Sequence, residues 1–101
     1  MNRQKRESLF ERLNRARSVL ELPERVSIKR IKEQYRELSK TWHPDICKEK
    51  PAACQRMQQR LNEAYSVLMG FCNNYEYSFR REDVEKYPTG EDFWWEHYGD
   101  I

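Results

Sequence analysis

The sequence predicts an all-α fold, because apolar residues recur at helical spacing in three separate segments. The single run in which apolar and polar residues alternate is too short to build a sheet. Proline or glycine follows each segment, and both residue types commonly end helices. The chain has 101 residues, of which 38% are hydrophobic and 36% are charged, so we expect one small domain with an appendage.

The first predicted helix runs from about Ser8 to Leu20, and Leu22-Pro23 ends it. The second begins after Ser27, a plausible N-cap, and Pro44 stops it. Its apolar residues fall within a sector of roughly 80° on a helical wheel, which is typical of a helix with one buried face. These residues are Ile28, Ile31, Tyr35, Leu38 and Trp42.

The third predicted helix begins at Pro51, after a polar loop over residues 45–50, and runs to about Met69. Gly70 is expected to be its C-cap. Two long amphipathic helices joined by a short loop should pack antiparallel, with the first helix covering one side of the pair. We therefore divide the chain into a helical domain over 8–70 and a C-terminal extension over 71–101.

The second helix carries a basic stripe, formed by Lys29, Lys32, Arg36 and Lys40. The stripe is centred roughly 135° from the apolar face, with Glu33 and Glu37 beyond it. A solvated helix face explains such a stripe, and so does a positive surface for an acidic partner. Nucleic acid is a less favoured partner, since the net charge is only +2 and the C-terminal segment is acidic.

The tripeptide His43-Pro44-Asp45 follows the second helix. His43 and Asp45 can be an ordinary loop histidine and a cap, or they can offer hydrogen bonds to a partner from a rigid kink at Pro44. No nucleophile is evidently placed beside them, and a small helical fold offers little pocket, so we expect no enzymatic activity.

The three cysteines are Cys47, Cys54 and Cys72. Their odd number and the absence of a C-x-x-C motif predict reduced thiols rather than a disulfide framework or a zinc finger. His43, Cys47 and Cys54 lack a fourth ligand at the usual spacing, so neither a metal nor a cofactor is expected. No apolar run approaches the roughly 20 residues needed to span a bilayer, and the basic start lacks a signal-peptide core. The predicted location is therefore cytoplasmic.

Residues 16–68 of the chain resemble the J domain of DnaJ-type co-chaperones. The resemblance is carried by residues 16–22 (ARSVLEL), 31–40 (IKEQYRELSK), 42–45 (WHPD) and 62–68 (NEAYSVL). It implies a hairpin of the second and third helices joined by the His-Pro-Asp loop, with a short first helix beside them. The absence of a Gly/Phe-rich linker and of a zinc-binding region suggests a minimal J protein.

The resemblance also implies a function, which is docking on the ATPase of a DnaK-type chaperone of the heat-shock protein 70 class. Tyr35, Lys32 and Arg36 would contact the chaperone, with Lys29 supporting them. The residues His43, Pro44 and Asp45 would couple docking to ATP hydrolysis in the partner. The alternative is an adapter that uses the same fold for binding alone.

The C-terminal extension is aromatic and acidic. Residues 73–101 hold eight of the thirteen aromatic side chains, together with 8 acidic and 3 basic residues. A short helix is expected over residues 91–98. The extension can pack back on the core, hold a specific client or a membrane-associated partner, or inhibit the domain by covering the basic stripe.

Overall fold

A computed structural model describes residues 6–86 of the chain. This part of the chain contains four helices and no strand: α1 (Leu9–Val19), α2 (Ile28–Thr41), α3 (Pro51–Asn74) and α4 (Arg81–Val84). The all-α prediction is confirmed. None of these helices is both long enough and apolar enough to cross a lipid bilayer.

Serine side chains begin the first two helices, as the sequence predicts for Ser27. The Oγ atom of Ser8 accepts a hydrogen bond from the backbone N–H of Glu11 at 3.0 Å, and the Oγ atom of Ser27 accepts one from Arg30 at 3.1 Å. Each bond satisfies a backbone donor that has no partner inside the helix. The third helix begins at Pro51, which needs no such partner because proline lacks an N–H.

A Schellman motif ends α1. Glu21 has a positive φ of 55°, and its N–H donates to the carbonyl of Ser18 at 3.0 Å. The N–H of Leu22 donates to the carbonyl of Arg17 at 3.1 Å, which is the second bond of this motif. The turn carries Leu22 into the core, where only 4% of its surface is exposed.

The predicted end of the third helix is wrong. The helix continues through Gly70 to Asn74, whose side-chain amide donates to the carbonyl of Gly70 at 2.7 Å. A glycine inside a helix costs only about 1 kcal/mol relative to alanine. Cys72, two residues after Gly70, packs against the core, so this contact favours continuing the helix past the glycine. Position 70 therefore lies within α3.

The buried core lies where α3 packs against both α1 and α2. The Cα atoms of α1 and α2 nowhere come within 8 Å of each other, so α3 is the shared partner. Most of the core consists of aliphatic side chains: Ala16, Leu20, Leu22, Ile31, Leu61, Ala64 and Leu68. Leu38 and Trp42 pack against this cluster while remaining partly exposed.

The register of α2 and α3 is antiparallel. The hydroxyl of Tyr35 bonds to Asn62, and one turn further along α2, Ser39 bonds to Gln58. As the residue number rises along α2, it falls along α3, which is the signature of an antiparallel pair. The predicted helical hairpin is confirmed.

The segment after α3 leaves its aromatic side chains in solvent. The exposed fractions are 57% for Tyr75, 57% for Tyr77 and 87% for Phe79. These three side chains do not enlarge the core. The expectation that the extension packs back on the core is therefore wrong for this part of it. The short helix expected over residues 91–98 lies outside the described residues.

Candidate functional site

The basic stripe of α2 faces solvent. All four of its side chains, Lys29, Lys32, Arg36 and Lys40, belong to exposed residues. Lys40 has a carboxylate nearby, with 3.6 Å between its Nζ and Oε1 of Glu37. The other three make no ion pair among residues 6–86 and can meet the carboxylates of a partner.

Tyr35 lies between the stripe and the hairpin interior. Its ring stacks on Tyr65, with centroids 4.2 Å apart and planes inclined by 18°, and its hydroxyl donates to Oδ1 of Asn62 at 2.5 Å. Gln58 bonds to the same Oδ1 and to Ser39, so four residues of the two helices form one network. Tyr35 is therefore held in one orientation while part of its surface stays in solvent.

The His-Pro-Asp segment forms a hydrogen-bonded turn after α2. The carbonyl oxygen of His43 accepts from the N–H of Ile46 at 2.9 Å and from the N–H of Cys47 at 3.1 Å. The side chains of His43 and Asp45 are 56% and 90% exposed. The turn thus presents an imidazole and a carboxylate to solvent from a backbone that its own hydrogen bonds hold in shape.

Two contacts of the His43 ring compete for one nitrogen. Nδ1 accepts the backbone N–H of Asp45 at 3.2 Å, and it also lies 3.6 Å from the carboxylate of Asp45. The first contact needs a lone pair on Nδ1, whereas the second needs a proton there. The shorter contact has hydrogen-bond length, so Nδ1 accepts the backbone N–H of Asp45 in this geometry. The other ring nitrogen, Nε2, can then bond to a partner.

The expectation of reduced thiols is wrong for two of the three cysteines. Cys47 and Cys54 are joined by a disulfide, with their Cα atoms 6.2 Å apart, whereas Cys72 is free. The loop after α2 turns back on itself and brings Cys47 to the first turn of α3. The spacing of the cysteines along the chain does not reveal that Cys47 and Cys54 lie close together, because their distance depends on the path of the loop. Within residues 6–86, no group of three or more potential ligands is arranged to hold a metal ion.

The structure brings all seven predicted site residues to one end of the hairpin or along the exposed side of α2. They are Lys29, Lys32, Tyr35, Arg36, His43, Pro44 and Asp45. The sequence-based prediction missed Asn62 and Gln58, which hold Tyr35. Tyr35 was predicted to lie on the apolar face of α2, where a tyrosine hydroxyl usually finds a hydrogen-bond partner, and that requirement was the available signal. Together these groups form one exposed surface along α2 and the turn that follows it.

Comparisons with known proteins identify related sequences. The family model of the DnaJ domain matches residues 18–71. "Chaperone protein DnaJ 2" of Aquifex aeolicus is 46% identical over 50 residues, which are 50% of this chain and 13% of that protein. "DnaJ homolog subfamily B member 3" of Homo sapiens is 40% identical over 50 residues, 50% of this chain and 34% of that protein. The similarity thus spans a minor part of each relative. No solved structure matches the chain.

Proposed function

The chain belongs to the DnaJ domain family, and from this premise we propose that it docks on a DnaK-type chaperone and stimulates ATP hydrolysis by that partner. One observation carries the proposal. The exposed basic stripe of α2 leads directly into the turn that displays His43 and Asp45. A partner that contacts the stripe is thereby positioned to contact the turn.

The proposed roles follow from what each group offers. Lys29, Lys32 and Arg36 attract an acidic surface and orient the encounter. Tyr35 contributes an aromatic contact whose orientation is already fixed by Tyr65 and Asn62, so docking orders little that is mobile.

The turn would act through differential affinity. Pro44 fixes the backbone, and His43 and Asp45 bind more strongly to the hydrolysis-ready state of the chaperone than to its resting state. A ligand with such a preference shifts the partner's equilibrium without performing chemistry itself. In this proposal the chain is not an enzyme, needs no cofactor, and works with a cytoplasmic chaperone.

Single-turnover ATP hydrolysis by a DnaK-type chaperone tests the proposal. Wild type should accelerate hydrolysis, and His43→Gln should lose most of the acceleration because the imidazole is missing from the turn. His97→Gln makes the same chemical change at the other histidine of the sequence and serves as the matched control. Equal acceleration by wild type and by His43→Gln would refute the assigned role of the turn.

The alternative function is a binding adapter that uses the J fold without stimulating hydrolysis. The same exposed surface favours it, because a stripe and a turn can serve binding alone. Calorimetric titration of the chaperone separates the two functions. An adapter that serves other partners would show no binding to the chaperone, whereas a co-chaperone would bind it and also accelerate hydrolysis.

The aromatic segment after α3 suggests a second contact, to a client protein. Tyr75 and Tyr77 stack edge to face, with centroids 5.5 Å apart, and Phe79 is almost fully exposed. Exposed aromatic side chains in a row are typical of binding surfaces. We expect the triple alanine variant at these positions to keep the ATPase stimulation. Its assistance in refolding a denatured reporter enzyme should fall, and unchanged refolding would exclude this contact.

A further inference from the structure

The segment that follows α2 has little to hold it in place. All of residues 43–50 except Cys47 are exposed, and the disulfide of Cys47 to Cys54 ties the segment to α3. Segments with few buried apolar contacts open at low free energy. The order of this segment therefore depends on the disulfide and on a few backbone hydrogen bonds.

A backbone hydrogen bond joins Cys47, one of the two disulfide cysteines, to His43. Cys47 donates its N–H to the carbonyl of His43 at 3.1 Å, and Ile46 donates to the same oxygen at 2.9 Å. Helix α3 is thus connected to the functional turn through the Cys54–Cys47 bond and one backbone hydrogen bond. Breaking the disulfide frees the backbone N–H groups of Ile46 and Cys47 from the position that the bond to Cys54 imposes.

We propose that Cys47 and Cys54 form a reversible dithiol–disulfide site that controls the turn holding His43, Pro44 and Asp45. A small anionic disulfide of the glutathione type oxidises the pair and fixes the turn. Reduction by the corresponding thiol loosens the turn and weakens docking on the chaperone. Only this last consequence rests on the function proposed above.

The exchange chemistry follows from the burial of the two sulfurs. Cys47 is partly exposed, whereas Cys54 is 2% exposed. A thiolate therefore attacks Sγ of Cys47, the disulfide breaks, and its electron pair leaves on Sγ of Cys54, which takes up a proton. A second thiol then attacks the mixed disulfide and releases Cys47. In total, two thiols and the protein disulfide give one small disulfide and the protein dithiol.

An open recess gives a small reagent access to the pair. Its volume is about 370 Å³, and its lining includes both cysteines together with Lys48 and Lys50. Glu49 also lines the recess, so the two ammonium groups and one carboxylate leave a net positive charge that attracts an anionic thiolate or disulfide. The pair should consequently exchange faster with glutathione than with a neutral reagent of similar size, such as 2-mercaptoethanol.

A reversible pair also reconciles the disulfide with the predicted cytoplasmic location. Reducing compartments do not keep ordinary disulfides closed, and the disulfides found there are commonly transient or redox-sensing. The site would then close when the ratio of oxidised to reduced glutathione rises.

Two measurements on the full chain test the site without the chaperone, using Cys72→Ser so that the pair alone titrates. Alkylation and mass spectrometry after equilibration with glutathione buffers should show two thiols appearing together on reduction. Amide hydrogen exchange at Ile46 and Cys47 should become about tenfold faster on reduction, whereas exchange at Leu61 in the core should not change. A pair that never closes, or equal exchange in both states, would overturn the proposal.

The ATPase assay then tests the functional consequence. Reduction should raise the concentration needed for half-maximal stimulation by about threefold or more, since a less ordered turn must be fixed on binding. Cys47→Ser should behave like the reduced chain in every buffer. Equal stimulation by both forms would refute the control of docking. If amide exchange responds to reduction but neither form stimulates hydrolysis, the redox site is supported and the proposed function fails.

Discussion

The hydroxyl of Tyr35 donates to Oδ1 of Asn62 at 2.5 Å while the ring of Tyr35 stacks on Tyr65. Tyr35→Phe removes the hydrogen bond and keeps the stacked ring. We expect the free energy of unfolding to fall by about 0.5–1.5 kcal/mol, the usual net contribution of one hydrogen bond. Urea denaturation measures this change.

Tyr65→Phe is the matched control for that variant. It removes the hydroxyl of the other stacked ring, which makes no hydrogen bond within residues 6–86. Its effect should stay within about 0.5 kcal/mol, as for most substitutions that break no specific contact. Equal destabilisation by the two variants would show that the bond to Asn62 contributes nothing particular.

Reversing charge on the basic stripe should weaken docking on the chaperone. The double variant Lys32→Glu, Arg36→Glu replaces two cations that make no ion pair within residues 6–86 with anions, so association should slow by about tenfold or more at low salt. Arg30→Glu is the control, because Arg30 lies on another side of α2 and donates to Gln34. Stopped-flow association at two ionic strengths measures the effect, and identical rates for both variants would remove the stripe from the interface.

The two leucines of the hairpin should differ in their contribution to stability. Leu61 is 1% exposed, so Leu61→Ala should cost about 2–5 kcal/mol. Leu38 is only half-buried, and Leu38→Ala should cost about 1–2 kcal/mol because less apolar area is removed from water. Leu9→Ala, at a residue that is 61% exposed, serves as the control in thermal denaturation. A larger loss at Leu38 would mean that the packing of α2 is misassigned.

Gly70→Ala should stabilise the protein. Gly70 lies inside α3, and a Cβ at this position meets no atom within 4 Å. Alanine is the better helix former, so the free energy of unfolding should rise by about 0.5–1 kcal/mol. Chemical denaturation measures this change. Destabilisation by Gly70→Ala would contradict the prediction, because it is the result expected for a glycine in a left-handed helix cap.

Cys72 should react with alkylating reagents more slowly near neutral pH than the same cysteine in the unfolded chain. Burial raises the pKa of its thiol above the ordinary value of 9.0. The thiolate is the reactive form, so the midpoint of the pH–rate profile for iodoacetamide in the oxidised chain, where Cys72 is the free cysteine, should lie above that of the unfolded chain. The unfolded chain in urea provides the reference profile. A midpoint at or below the reference would contradict this expectation.

The same shift has a defined effect on stability. The fold favours the neutral thiol, because desolvation disfavours the thiolate. The contribution of Cys72 is therefore complete below the pKa of the unfolded chain and is lost as the pH rises through the folded pKa. Stability measured above that range should be lower in wild type than in Cys72→Ala once their difference at pH 7 is subtracted.

Local sequence signals predicted most of the fold. Ser27 and Pro51 mark the starts of α2 and α3 because capping and proline geometry depend on one or two neighbouring residues. The antiparallel hairpin follows from two apolar faces joined by a short loop. Gly70 misled the prediction because a weak local preference was outweighed by packing at Cys72, a contact that exists only in the folded chain.

The site was predictable where its residues share one helix face or one turn. The stripe and the His-Pro-Asp turn are of this kind. The Cys47–Cys54 bond and the Asn62 contact of Tyr35 are different, since each joins α3 to a residue outside it. Such contacts depend on the path of the loop and on the register of two helices, which a single sequence does not specify.

The position of α3 between the other two helices has a consequence for local unfolding. Because α1 and α2 do not approach each other, α1 can detach without breaking the contact of Tyr35 with Asn62 or that of Ser39 with Gln58. Docking α1 also closes a longer stretch of chain than closing the hairpin, which costs more loop entropy. An opening confined to α1 would therefore leave the contacts of α2 with α3, and with them the exposed surface of α2, in place.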